Sequence, residues 1–292
     1  MEVTASLVKD LREMTGAGMM DCKKALSECK GNIDEAINWL REKGIAKSAK
    51  KESRIAAEGL ANIYVDGNNA VIIEVNSETD FVSKNEEFRS MIDTIGNAIL
   101  HSDAKDVDEA KEIKLEDGTV NDLIVAKIAK IGEKLSLRRF VKLTKEDGDN
   151  FGPYIHMGGK IAALTVVKGA TEEVAKDVAM QAAAMRPLYV FTTDVPDDVL
   201  ESEREVQKKL AMEEGKPADI AEKMVEGRIK KYYKEICLAE QPFIKDDSVS
   251  VSKYVTNNGG ELITMVRFEV GEGMEHRSDN FAEEVMNQVN GK

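Results

Sequence analysis

The hydrophobic period of this chain changes at Gly59, and that change separates what can fold before it from what must fold after it. Up to about residue 40, apolar residues recur every three to four positions, the spacing of one helix face. Past Gly59 the runs LANIYVDG and NAVIIEVNS alternate with a period of two, as half-buried strands do. Asp66-Gly67-Asn68-Asn69 between them is a hairpin signal, because Gly and Asn accept the positive φ of a tight turn. A helix is expected next, from about Glu86 to Ile99. The same kinds of element return downstream: the strand LSLRRFVKLT, the hairpin PYIHMGGKIAALTVVKG turning at Met157-Gly158-Gly159, and the helix EEVAKDVAMQAAAM. A hairpin followed by a helix that can cover one sheet face, twice over, predicts a structural duplication. The fold class is α+β, with two related subdomains built on antiparallel sheets, roughly 59–140 and 141–196 plus a later return. Residue identity between the copies is weak, so the repeated order of elements carries this reading.

The N-terminal piece is all helix. Residues 4–14 present Leu7, Leu11 and Met14 on one face, with Thr4 or Ser6 as cap. Thr15-Gly16-Ala17-Gly18 reads as a tight turn in which Gly can take positive φ. A second helix carries Met19, Cys22, Ala25, Leu26 and Cys29. Lys30-Gly31-Asn32 breaks it, and Ile33, Ala36, Ile37 and Leu40 line a third. Three short amphipathic helices make a small bundle of modest stability. Residues 41–58 read as a solvent-exposed helical linker. Its lysines (Lys43, Lys47, Lys50, Lys51) form either a solvated face or a contact for an acidic partner surface.

Residues 197–238 interrupt the second copy with two charged helices joined at Gly215-Lys216-Pro217, a helix stop and restart. Val199, Val206 and Leu210 stripe the first; Ile220, Met224, Ile229, Tyr232 and Ile236 stripe the second. This predicts an antiparallel helical hairpin whose thin stripe pairs with itself or packs on another chain or copy. Gln241–Ile244 ends the excursion, Ser248–Val255 resembles a helix, and Glu261–Glu269 is a strand fit to return to the second sheet. Phe281–Val289 is expected as a final helix, with Glu283 and Glu284 near its favourable end. The expected domains are 1–54, 55–140, 141–270 with the insertion 197–238, and a C-terminal module 271–292.

Composition narrows function by exclusion. A net charge of −13 argues against nonspecific affinity for nucleic acid or an anionic membrane. No run approaches the ~18–20 apolar residues that cross a bilayer, and the opening MEVTASLVKDLREMTG does not read as a signal peptide. Cys22, Cys29 and Cys237 have no zinc spacing; on a helix the first two would lie about 10 Å apart along the axis, too far to bridge. Three reduced thiols in a cytoplasmic setting are expected. His101, His156 and His276 fall on distinct elements, and no zincin, nucleophile-elbow, Walker or Rossmann motif is present. Gly158-Gly159-Lys160 closes a hairpin and is no phosphate loop. The expectation is a protein that is no enzyme, with no catalytic residues, cofactor or metal.

The informative segment is Glu74-Val75-Asn76-Ser77-Glu78-Thr79-Asp80-Phe81-Val82-Ser83-Lys84, which stands at a strand end just before a helix. Two readings are open from spacing alone. Asp80 caps the helix and Phe81 fills the core; or Phe81 is an exposed wedge that buries in a partner pocket, with Asp80 aimed at a donor or cation.

The runs LVKDLREMTGAGMMDCKKAL, EVNSETDFVSKNEEF and YIHMGGKIAAL resemble signatures of the bacterial elongation factor Ts family, and the resemblance covers essentially the whole chain. It implies a guanine-nucleotide exchange factor of translation elongation whose partner is the GTPase elongation factor Tu. The bundle is similar to ubiquitin-associated domains and would dock on the GTPase's nucleotide-binding domain through Thr15, Gly16, Ala17, Gly18, Met19, Met20 and Lys23. The family's exchange loop falls on Thr79, Asp80, Phe81 and Val82, with Phe81 inserting between partner helices near the magnesium site. A second partner-facing region falls on His156 and Met157, with Gly158 and Gly159 permitting close approach. The hairpin corresponds to a coiled coil linked to self-association, so a homodimer through the hairpin or the core is an open expectation. The resemblance implies no direct contact with nucleic acid or membrane, and no nucleotide or metal bound by the chain itself. Asn76-Ser77-Glu78 precede the loop where relatives can carry a Cys, a difference not expected to affect insertion.

Overall fold

The computed structural model describes residues 3–15, 17–215 and 217–275; the expected helix at 281–289, along with Gly16, Lys216 and His276, lies outside the described residues. The chain divides into two compact units. Of the described residues, one holds those within 3–62, 73–140 and 269–275; the other holds those within 63–72 and 141–268.

The bundle consists of α1 (Ala5–Thr15), α2 (Met19–Glu28) and α3 (Ile33–Ala49). Thr4 Oγ1 accepts from the Leu7 amide (3.3 Å), so Thr4 rather than Ser6 begins α1. Lys30 and Gly31 adopt positive φ, and the Asn32 side chain accepts from Glu35 N (3.2 Å) to start α3. Leu11, Cys22, Leu26 and Ala36 fill the core with no exposure. In the turn before α2, Gly18 is extended (φ −62°) and does not use the left-handed freedom of glycine.

The first sheet is formed by β1 (Glu58–Asp66), β2 (Asn69–Ser77) and β5 (Leu135–Thr144) in the order β1-β2-β5. Gly67 turns the hairpin with φ 56°. Helix α4 (Glu86–Leu100) buries Phe88, Met91, Ile92, Ile95 and Ile99. Residues 101–134, for which periodicity gave no element, form α5 (Val107–Lys111), a two-stranded hairpin of β3 (Lys114–Leu115) and β4 (Gly118–Thr119), and α6 (Val120–Ile131). Thr119 and Asp122 cap α6 reciprocally: Asp122 N donates to Thr119 Oγ1 (3.2 Å) and Thr119 N to Asp122 Oδ2 (3.0 Å). Gly132 ends it at φ 89°.

Helix α6 adds contacts to the largely exposed segment 41–58. Helix α3 runs unbroken to Ala49, and Gly44 is buried beside Val125 and Ala129 of α6. Arg41 pairs with Asp122 at 2.6 Å, and Lys51 donates to the Gly132 carbonyl at 2.5 Å. Apolar contact with a helix absent from the sequence reading buries Gly44, while Lys43, Lys47 and Lys50 stay exposed as expected.

Strand β5 belongs to the first sheet, not to the second copy that it precedes. The second copy begins with β6 (Asp149–His156), antiparallel to β7 (Ile161–Lys168) in a register running from Asp149↔Lys168 to His156↔Ile161. Helix α7 (Glu172–Met185) packs on them through Val174, Val178, Ala179 and Ala182. At Gly152 the helix backbone arrives so close that a Cβ would lie 2.1 Å from the Ala175 carbonyl oxygen, and only glycine fits.

The excursion follows as α8 (Asp197–Glu213) and α9 (Ala218–Ile236), an antiparallel pair as expected. The expected stripe holds in part: Ile229 and Ile236 are buried, whereas Val206, Leu210 and Ile220 are exposed, and Ala211, Ala221 and Val225 are buried outside the stripe. Ala211 and Ala221 take up little room between the helices, and the larger Val206, Leu210 and Ile220 stay in water. The root is fastened by backbone bonds from Leu188 N and Tyr189 N to Ile236 O (2.8 and 3.0 Å). Then come β8 (Pro242–Phe243), β9 (Asp246–Ser250) and α10 (Val251–Asn257). The helix expected from Ser248 starts at Val251, because Ser250 caps it and residues 246–250 pair with β8. Strand β10 (Glu261–Glu269) returns to the second sheet, whose order is β10-β7-β6. The two copies therefore share one plan: hairpin, helix, excursion, return strand beside the second hairpin strand.

Candidate functional site

The loop 78–84 is shaped by hydrogen bonds at both ends. At its entry, Ser77 Oγ donates to Thr79 O (2.9 Å), while the Thr79 amide and hydroxyl both donate to the Glu133 carboxylate, at 3.0 and 2.6 Å. Glu78 accepts from the Lys134 amide (2.6 Å) and from Arg54 Nη1 (3.1 Å). At its exit, a 3-10 turn spans Val82–Lys84, with Ser83 Oγ donating to Asp80 O (2.6 Å) and Arg89 Nε to Ser83 O (3.0 Å). The Asn85 side chain then caps α4, accepting from Glu87 N at 2.8 Å.

These bonds exclude the reading in which Asp80 caps the helix and Phe81 fills the core. Asn85, not Asp80, caps α4, and Val82, not Phe81, is the side chain turned into the core. Phe81 is 77% exposed, the most exposed large apolar side chain among the described residues. Its backbone is ordinary αR (φ −60°, ψ −39°), so no strain holds it out. Lys84 Nζ lies 5.9 Å from the ring centroid and 3.7 Å from Asp80 Oδ2. Exposed pairs of this kind contribute little to stability.

Beside the ring is an open depression of about 390 Å³ lined by Phe81, Val82, Asn85, Glu87, Lys130 and Ile131. Lys127 (2.7 Å) and Lys130 both bond to Glu87 and hold its carboxyl below the ordinary range. The depression thus combines apolar side chains with a compensated ion cluster.

The other candidate residues sit on separate elements. His156 ends β6, and Met157–Gly159 make a 3-10 turn in which Met157, Gly158 and Gly159 all take positive φ. Glycine meets that requirement at 158 and 159 without a steric penalty. Met157 and His156 are exposed, and Tyr154 Oη bonds His156 Nδ1 at 3.1 Å with the rings stacked. In the bundle, Thr15 Oγ1 donates to Leu11 O (2.7 Å) and accepts from Ala17 N (3.3 Å). Gly18, Met19, Met20 and Lys23 beyond it are exposed; Gly16 lies outside the described residues.

Sequence reasoning missed Glu133, Glu78, Arg54 and Lys134 as supports of the loop. The helix before Glu133 left a local signal, since Thr119 and Asp122 form a capping box and Gly132 a stop. The pairing of residue 133 with residue 79 leaves no local trace. Among the described residues no cluster of His, Cys, Asp or Glu suits a metal ion, and no helix is long and apolar enough to cross a membrane. The three cysteines are free.

Two family models match this chain. Residues 78–272, well over half of it, match the model described as elongation factor TS, and residues 3–40 match the UBA/TS-N domain.

Proposed function

Because the chain belongs to the elongation factor Ts family, non-catalytic nucleotide-exchange factors that interact with elongation factor Tu, we propose that it releases GDP from that GTPase by inserting the Asp80-Phe81 loop. The supporting observation is an aromatic ring left in water on a loop anchored at both ends. Burying such a ring in a partner pocket is worth about 2–3 kcal/mol, and this free energy is not already used within the chain. Asp80, paired with the exposed Lys84, can exchange that partner for a donor on the GTPase.

The proposed sequence needs no bond to be broken. Phe81 wedges between partner helices and displaces the elements that position the magnesium ion. The ion and then the phosphates lose their grip. His156, Met157, Gly158 and Gly159 make a second contact, in which the glycines let backbone approach closely. Thr15, Gly16, Ala17, Gly18, Met19, Met20 and Lys23 anchor the bundle on the nucleotide-binding domain, with exposed methionines as adaptable apolar contacts. The chain itself holds neither nucleotide nor metal. Its setting is the cytoplasm, where three free thiols persist. Exposed Val206 and Leu210, one helical turn apart on α8, support self-association through the hairpin. Light scattering should then show dimer mass that falls to monomer mass in Leu210→Lys.

Linkage gives the test. A factor that lowers GDP affinity must itself bind the GDP-loaded GTPase more weakly, by the same ratio. Calorimetric titration into nucleotide-free and GDP-loaded elongation factor Tu should show that gap, and Phe81→Ala should narrow it. Equal affinities for both forms of the GTPase would contradict the proposal.

A further inference from the structure

We infer that Glu133 is a positioning residue for nucleotide exchange, acting through Thr79 to fix the direction in which Phe81 is presented. The inference rests on the exchange-loop reading above and extends it to a residue on a different element. Thr79 and Glu133 are 54 positions apart, yet both oxygens of the carboxylate are used on one residue: Oε2 accepts the Thr79 amide at 3.0 Å and Oε1 the Thr79 hydroxyl at 2.6 Å. Two bonds to one residue restrict rotation of the loop entry in a way that a single bond does not.

The grip is reciprocal. Glu78 sends its carboxylate back to the Lys134 amide at 2.6 Å, so two consecutive residues of the α6–β5 connection hold two consecutive residues of the loop. Gly132, left-handed at φ 89°, turns the chain out of α6 immediately before Glu133. The exit of the loop is secured separately, by Arg89 and Asn85. Only the entry depends on Glu133. Phe81 stands largely in water with Lys84 beside its ring, so the backbone is what aims it. Freeing the entry widens the range of ring orientations, and the ordering cost then falls on the insertion step.

A residue that merely supports the fold would act whether or not the ring is present; a positioning residue acts only through the ring. The test is therefore a double-mutant cycle on the full chain. Stopped-flow release of fluorescent GDP from elongation factor Tu would be measured against factor concentration for wild type, Glu133→Ala, Phe81→Ala and the double variant. Glu133→Ala is expected to lower the saturating release rate by about ten-fold with half-saturation little changed, and to cause no further loss in the Phe81→Ala background. Amide exchange at Thr79 should accelerate by at least about ten-fold while β2 stays protected. Glu133→Gln, which keeps the size but loses one acceptor, should fall between wild type and Glu133→Ala, and it carries the test if the alanine variant does not fold. Additive losses in the double variant, a shift in half-saturation alone, or an unchanged saturating rate would overturn the inference. A Phe81→Ala variant that releases GDP like wild type would instead remove the loop reading beneath it.

Discussion

Glu74 and Phe81 are seven residues apart and have opposite relations to water. The Glu74 side chain is fully buried, where it accepts from Arg138 Nη1 (2.9 Å), Arg139 Nε (2.6 Å) and the Gly271 amide (2.9 Å). Burial pushes its carboxyl up, but the Gly271 amide and the two guanidinium groups outweigh burial and hold it below 4.5. A depressed carboxylate contributes stability that is fully present above about 4.5 and is lost as pH falls through the folded-state value. Glu74→Ala should therefore cost about 2–4 kcal/mol at pH 7 in denaturant titration, and the cost should shrink as the pH falls below 4.5. A pH-independent loss would assign the effect to packing. Phe81→Ala, in contrast, should change unfolding free energy by less than about 0.5 kcal/mol. The place of Phe81 on a strand-end loop was legible in the sequence. Its exposure was not, because Asp80 and Asn85 are both competent caps and only the fold decides between them.

At the scale of elements, α6 connects the bundle with the loop, since one side carries Val125 and Ala129 against Gly44 and its C-terminal end leads to Glu133. A Cβ at Gly44 would meet both side chains at 3.7 Å, ordinary contact distance, and Gly44 is helical. Gly44→Ala should thus raise stability by about 0.5–1 kcal/mol, read as a higher denaturant midpoint at unchanged slope. A lower midpoint would show that α3 and α6 are packed more tightly than this geometry gives. The hairpins and covering helices were readable because period and turn residues are local. The assignment of β5 was not, since it precedes β6 directly in sequence while its sheet partner β2 lies far back in the chain. The stripe of the helical hairpin was legible on α9, where Ile229 and Ile236 are buried, and not on α8, because periodicity marks large apolar residues and the one buried residue there is Ala211.

At the scale of the molecule, one sheet-and-helix plan occurs twice, and in the proposed function the residues that differ between copies supply the contacts. The first copy carries the Phe81 loop after its hairpin; the second carries the Met157–Gly159 turn within its hairpin. The central claim is that a ring held out by the first copy drives GDP from elongation factor Tu. It is tested most directly by stopped-flow release of labelled GDP with saturating wild-type chain and with Phe81→Ala. The account predicts a release rate lowered by at least about ten-fold in the variant, equivalent to about 1.4 kcal/mol of lost barrier reduction, with an unchanged melting curve. Equal release rates for the two proteins would contradict it.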